Sequence, residues 1–168
     1  MKYLIKSGNL YQIDNGRPGS KLACLKTPFY PVKKTILSPD GEVRLIADVQ
    51  RAENTGKIRE RIYTLMDPLN QVVLTGHPTY NEQHVALNAP RINHIKLYMN
   101  HKVYELSMKD NLECNLVDQR NWNVAKLVHN EKSGGWLLEA DPVFSPYILM
   151  GLFLFCRYLD KENEFIMA

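Results

Sequence analysis

The segment that most constrains this 168-residue chain lies near its end: Ser145-Pro146-Tyr147-Ile148-Leu149-Met150-Gly151-Leu152-Phe153-Leu154-Phe155-Cys156-Arg157-Tyr158-Leu159. Ser145 can cap the free N–H groups of a helix, and Pro146 suits its first position. Residues 147–156 are apolar without interruption, and Arg157 ends the run. A membrane-spanning helix needs about 20 such residues, so no transmembrane span is expected and the helix, over about 145–160, belongs in a protein core. Nearly everything before it reads as short strands and turns. A helix apolar on all sides, in a chain of strands, is buried only if the sheet wraps around it. The expected fold is therefore mainly β with one C-terminal helix, an antiparallel sheet enclosing a buried hydrophobic helix, in a single domain over 1–168.

The strand reading rests on period two. In residues 42–49, Val43, Leu45, Ala47 and Val49 share one face, and Glu42, Arg44 and Asp48 the other. Tyr104, Leu106 and Met108 alternate with Glu105 and Ser107 in the same way. Turn signals punctuate the strands at Asn15-Gly16, Asp40-Gly41, Asp67-Pro68, Asn100-His101, Asp110-Asn111, Asp118-Gln119 and Gly134-Gly135. Residues 37–43, 65–72 and 116–124 share a form: an apolar strand end, an aspartate turn, then a strand led by valine. This is either a repeated unit or the ordinary look of hairpins, and both imply an antiparallel meander. Residues 76–91, with two prolines and weak alternation, read as a long connection.

Bulk properties exclude more than they assign. The net charge of +3 gives no reason to expect nucleic acid as a partner. Three widely spaced cysteines (Cys24, Cys114, Cys156) suit a reducing compartment. The first residues lack the apolar stretch of a secretory signal, so a cytoplasmic location is expected.

The candidate ligand site is Lys57-Ile58-Arg59-Glu60-Arg61-Ile62-Tyr63. On a strand, Lys57, Arg59, Arg61 and Tyr63 point the same way, and three cations on one face can grip a phosphate or an anionic headgroup. Lys33 and Lys34 are candidates to join them, as is Arg44. The plain alternative is a solvated outer strand face. The histidines (His77, His84, His94, His101, His129) form no ligand spacing, so no metal site is expected. No Gly-x-Ser-x-Gly elbow or readable acid/base pair occurs, so catalysis and a cofactor are not expected. Cys24 and Cys156 read as buried small hydrophobes, and Cys114 as facing the other way. Tyr98, Tyr104, Trp122 and Trp136 read as packing residues, with a ligand pocket between wall and helix as the alternative.

Together these features resemble the tubby C-terminal-like superfamily, which includes the LURP-one-related proteins and the phospholipid scramblases. Residues 121–127 (Asn-Trp-Asn-Val-Ala-Lys-Leu) look like its turn and strand before the final hairpin. Residues 136–141 (Trp-Leu-Leu-Glu-Ala-Asp) look like its last strand, and residues 144–159 like its hydrophobic helix. The resemblance implies a closed antiparallel barrel of about twelve strands around that helix. It also implies recognition of phosphoinositides by basic residues on the barrel surface. The acidic calcium-binding stretch of scramblases has no counterpart in residues 130–135, so lipid scrambling is not expected. The expected function is a non-enzymatic binding module, reading an anionic membrane surface or a phosphorylated ligand. The alternative is a domain that binds another protein and has no lipid role.

Overall fold

The structure, a computed structural model, describes residues 1–26, 33–51, 61–80, 92–110, 112–130 and 134–164. Twelve strands precede one helix: β1 (Lys2–Lys6), β2 (Asn9–Asp14), β3 (Arg17–Lys26), β4 (Lys34–Leu37), β5 (Val43–Arg51), β6 (Arg61–Met66), β7 (Val72–Tyr80), β8 (Ile92–Met99), β9 (Lys102–Asp110), β10 (Glu113–Asp118), β11 (Asn123–Asn130), β12 (Gly135–Ala140) and α1 (Pro146–Glu164). Each strand pairs antiparallel with its neighbours in sequence, and β1 also pairs with β12, which closes the barrel. Closure gives each of the described strands a neighbour on both sides, although β4 pairs only with Cys24–Lys26 of β3. The Met1 ammonium and N-terminal strand sit on the seam, where the amine donates to the Ala140 carbonyl at 2.7 Å.

Helix α1 fills the interior. Ser145 Oγ accepts the Ile148 N–H at 3.3 Å, and Pro146 is the first helical residue. Leu149, Met150, Leu152, Phe155, Cys156 and Leu159 are buried against inward residues of the wall, among them Ile5, Leu10, Ile36, Leu65, Leu74, Ile95, Leu106 and Leu127. Burying each large side chain contributes roughly 1.5–3 kcal/mol. The helix comes close where the wall is small: a Cβ on Gly76 would stand 3.5 Å from Phe155 Cε2. None of the helices among the described residues is long and apolar enough to cross a membrane.

Because the sheet is a meander, connections that follow even-numbered strands share one end of the barrel, together with the start of α1. Three of them are built alike. In residues 38–42, 67–71 and 118–122 the first residue donates its N–H to the carbonyl of the fifth, at 2.8, 2.9 and 2.9 Å. The fourth donates back to the carbonyl of the first, at 3.0, 3.0 and 2.9 Å. The side-chain oxygen of Ser38, Asp67 or Asp118 accepts the N–H of the fifth residue, at 3.1, 2.8 and 3.0 Å. The fourth residue must take positive φ, and Gly41, Asn70 and Asn121 do so at 89°, 62° and 65°. A bulge adjoins each turn, at 36/37, 65/66 and 116/117. The repeat in the sequence is therefore a repeated hairpin. Asn15-Gly16 and Asn100-His101 instead place both central residues at positive φ, the two-residue hairpin form.

Three expectations need correction. Residues Gly76–Tyr80 continue β7 rather than starting a connection, because Pro78 pairs with Ile95 within the ladder; residues 81–91 lie outside the described ones. Asp48 is buried, not solvated with Glu42 and Arg44, and its carboxylate accepts the Val49 N–H at 2.9 Å. Cys114 is buried, facing inward against Cys156 of the helix, whose thiol is pushed well up by burial and by that neighbour.

Candidate functional site

The sequence candidates separate once placed. Lys57 and Arg59 lie outside the described residues. Arg61 opens β6 and is exposed, and the register sets its backbone opposite Arg51 of β5. Lys33 precedes β4, with its side chain 59% exposed and its Nζ 3.6 Å from Asp48 Oδ2. Lys34 is half-buried on β4 opposite Ala47. Lys33, Lys34 and Arg61 thus lie at the end of the β4–β5–β6 wall remote from the start of α1, where Lys34 and Arg61 share the strand parity of the inward residues Ile36 and Tyr63 and stand at the rim, and Lys33 has the opposite parity. By register Lys34 stands opposite Ala47 and Arg61 opposite Arg51, so the two are two strands apart and displaced along β5, and only their long side chains can converge on one anion. Asp48 offsets part of this positive charge. It also faces Tyr158 of the helix, whose hydroxyl burial and the Asp48 charge push up to about 12.

Two candidates do not belong to this wall. Tyr63 is fully buried and corrects the expectation of an exposed tyrosine beside Arg61. Strand alternation aims it inward with Leu65, where its ring packs 5.4 Å from Phe155 and 5.6 Å from Tyr158. Arg44 lies at the opposite barrel end, paired with Glu42 at 2.7 Å and 5.9 Å from the Tyr147 ring. The described histidines stay dispersed. His77 meets Tyr98 edge-on, His129 packs on Trp136 and His94 Nδ1 lies 2.7 Å from Glu105 Oε1. Among the described residues no three His, Cys, Asp or Glu side chains converge as metal ligands.

A second feature was only half visible in the sequence. At the end where α1 begins, two adjoining clefts of about 470 and 520 Å³ meet at Tyr104, Asp118 and Gln119. Tyr98 lines one and Trp122 the other, with Phe144 in the floor of the second. The pocket alternative for these aromatics thus fits Tyr98, Tyr104 and Trp122, whereas Trp136 is core. Tyr104 is buried, and burial together with Asp118 and Asp141 raises its hydroxyl above the ordinary range. Asp118 is held below its ordinary 3.8 by the backbone N–H groups of Trp122 and Arg120 and by the Arg120 side chain. The Arg120 guanidinium bridges that carboxylate, at 3.3 Å, and the Trp122 ring, 4.9 Å from its centroid.

The fold defines the class: a closed twelve-strand antiparallel barrel whose interior is occupied by its own C-terminal helix. Comparison with protein-family models, with curated proteins and with solved structures finds no match to this chain.

Proposed function

We propose that this chain is a non-enzymatic binding module of the tubby-like kind that takes a phosphate-bearing anion on the β4–β5–β6 wall. The observation that carries the reading is that Lys33 and Lys34, at the start of β4, and Arg61, at the start of β6, lie at the same end of the barrel, with Lys57 and Arg59 in the chain that joins β5 to β6. Two further features support it. The closed barrel around a C-terminal helix is the architecture that the tubby-like resemblance implies. The helix also fills the interior, which leaves the barrel rim and the outer surface for a ligand.

A lipid headgroup and a free phosphorylated ligand offer the same chemistry, so the test has two arms. Binding is measured with soluble inositol trisphosphate and with vesicles carrying a phosphoinositide, at low and physiological salt. Charge reversal at Lys33, Lys34 and Arg61 is expected to weaken binding about tenfold or more and to flatten its salt dependence. Binding to vesicles alone would identify a membrane reader, and binding to both a headgroup reader. Unchanged affinity in the reversed variant would remove the wall from the reading.

A further inference from the structure

Leucine, tryptophan and valine are poor choices for exposed positions in connections, yet here they occupy them. Leu69 is 77% exposed, Trp122 66% and Val143 69%. They sit in three connections, β6–β7, β10–β11 and β12–α1, that open at the same barrel end. Each is held by an aspartate at its turn: Asp67 Oδ1 accepts the Leu69 N–H at 2.9 Å, Asp118 Oδ1 that of Trp122 at 3.0 Å, and Asp141 Oδ1 that of Val143 at 3.1 Å. Val72 and Tyr98, also exposed, extend the apolar rim beside them.

The turns are also unusual in how little water they need. In residues 67–71 every backbone N–H is bonded within the turn, and Pro68 has none to offer. The carboxylates of Asp67, Asp118 and Asp141 are turned onto their own backbone instead of outward. The 67–71 tip can therefore leave water without stranding a backbone donor, the usual penalty for burying a loop. Charges of both signs surround these turns, and three pairs are joined: Arg120 with Asp118, Lys2 with Glu139 at 2.9 Å, and Arg44 with Glu42.

We infer that this end of the barrel docks on the interfacial layer of a lipid bilayer, with Leu69, Trp122 and Val143 as its shallow anchors. The geometry favours lipid over a protein partner. The anchors are separate points: Trp122 and Val143 both line an open cleft of about 520 Å³ and Leu69 stands on another hairpin, a relief that a rigid partner would have to match by shape and a fluid one need not. Tryptophan beside a cation, as in the Trp122–Arg120 pair, suits the boundary between headgroup and acyl chain. The charges are of both signs, so this end does not select anionic lipid. Arg61, at the far end of β6 from the Asp67 turn, would face away from the bilayer.

The test uses neutral phosphatidylcholine vesicles at high salt, where the basic wall contributes little. Flotation of the full chain is expected there. In a Trp136→Phe variant, Trp122 emission is expected to shift to the blue and to be quenched by lipids brominated near the headgroup. Leu69→Ser, Trp122→Ser and Val143→Ser together should reduce partitioning about tenfold or more with little change in thermal midpoint, because all three are exposed. Reversing Lys33, Lys34 and Arg61 should leave neutral-vesicle binding intact, so this inference and the anion reading fail separately. No flotation on neutral vesicles, or equal flotation of the serine variant, overturns the proposal. So does a concentration-dependent dimer in sedimentation that the serine variant abolishes without any lipid binding, which would assign the rim to a second copy.

Discussion

At the scale of single residues, the closest fit in the molecule is between Gly151 of α1 and Leu65 of β6. A Cβ on Gly151 would stand 2.8 Å from Leu65 Cδ2 and 3.0 Å from its Cγ. Leu65 is fully buried in a filled interior and cannot swing aside. Gly151→Ala therefore sets overpacking, about 1–3 kcal/mol, against a gain of about 1 kcal/mol in helix propensity. The overpacking is expected to win, lowering the thermal midpoint, and a Leu65→Ala background should restore the gain. A calorimetric double-mutant cycle checks this; additivity of the two changes would show that they do not meet. The same scale shows what sequence could not decide. Residues 61 and 63 share strand parity, but Arg61 lies at the rim of the barrel and Tyr63 two residues deeper, against Phe155. Parity says which residues agree in direction and nothing about whether that direction is inward. Cys114 illustrates the same gap: its spacing from Leu116 is regular, and only the position of α1 makes that side the interior.

At the scale of elements, the repeated turn was legible because its signals are local. An oxygen-bearing first residue and a Gly or Asn four positions into the turn stand in the sequence at 38–42, 67–71 and 118–122. The bulges were not legible, since they follow from register across two strands. Asp67→Ala removes the acceptor of two backbone N–H groups and is expected to cost about 1–2 kcal/mol, read as a lower urea midpoint. Asp118 makes the same bonds and adds a pH dependence. Its carboxyl lies below its ordinary 3.8 in the folded chain, so the unfolded chain binds the proton first as pH falls. The stability it contributes is complete above that ordinary value and is lost as pH drops through the lower folded one. Urea midpoints followed across this range should show a weaker acid dependence in Asp118→Asn, which keeps the Oδ1 acceptor and cannot titrate. Parallel curves for the two proteins would count against Asp118 as a source of the acid sensitivity.

At the scale of the whole molecule, architecture was readable because two patterns agreed: alternation along the strands and an all-round apolar helix too short for a bilayer. Neither pattern places the proposed binding surfaces. Lys33, Lys34 and Arg61 are brought to one end by the register of three consecutive meander strands, and Leu69, Trp122 and Val143 come from three connections that the meander sets at the same end. Closure has its own consequence. Strand β1 is paired on both sides, Leu4 standing opposite Leu137 and Tyr11, so residues 2–6 hold the two ends of the meander in register. At an open sheet edge a terminal strand can fray while the rest persists; here its loss would open the barrel and expose α1. Leu4→Pro removes a backbone donor inside this doubly paired strand, at a cost of about 3 kcal/mol or more. The expected result is one cooperative transition at lower temperature, with Trp136 emission and far-ultraviolet circular dichroism moving together, since Trp136 pairs with Ile5 on the seam. A variant that kept its midpoint and lost only local signal would mean that β1 is an appendage and that the barrel does not depend on its seam.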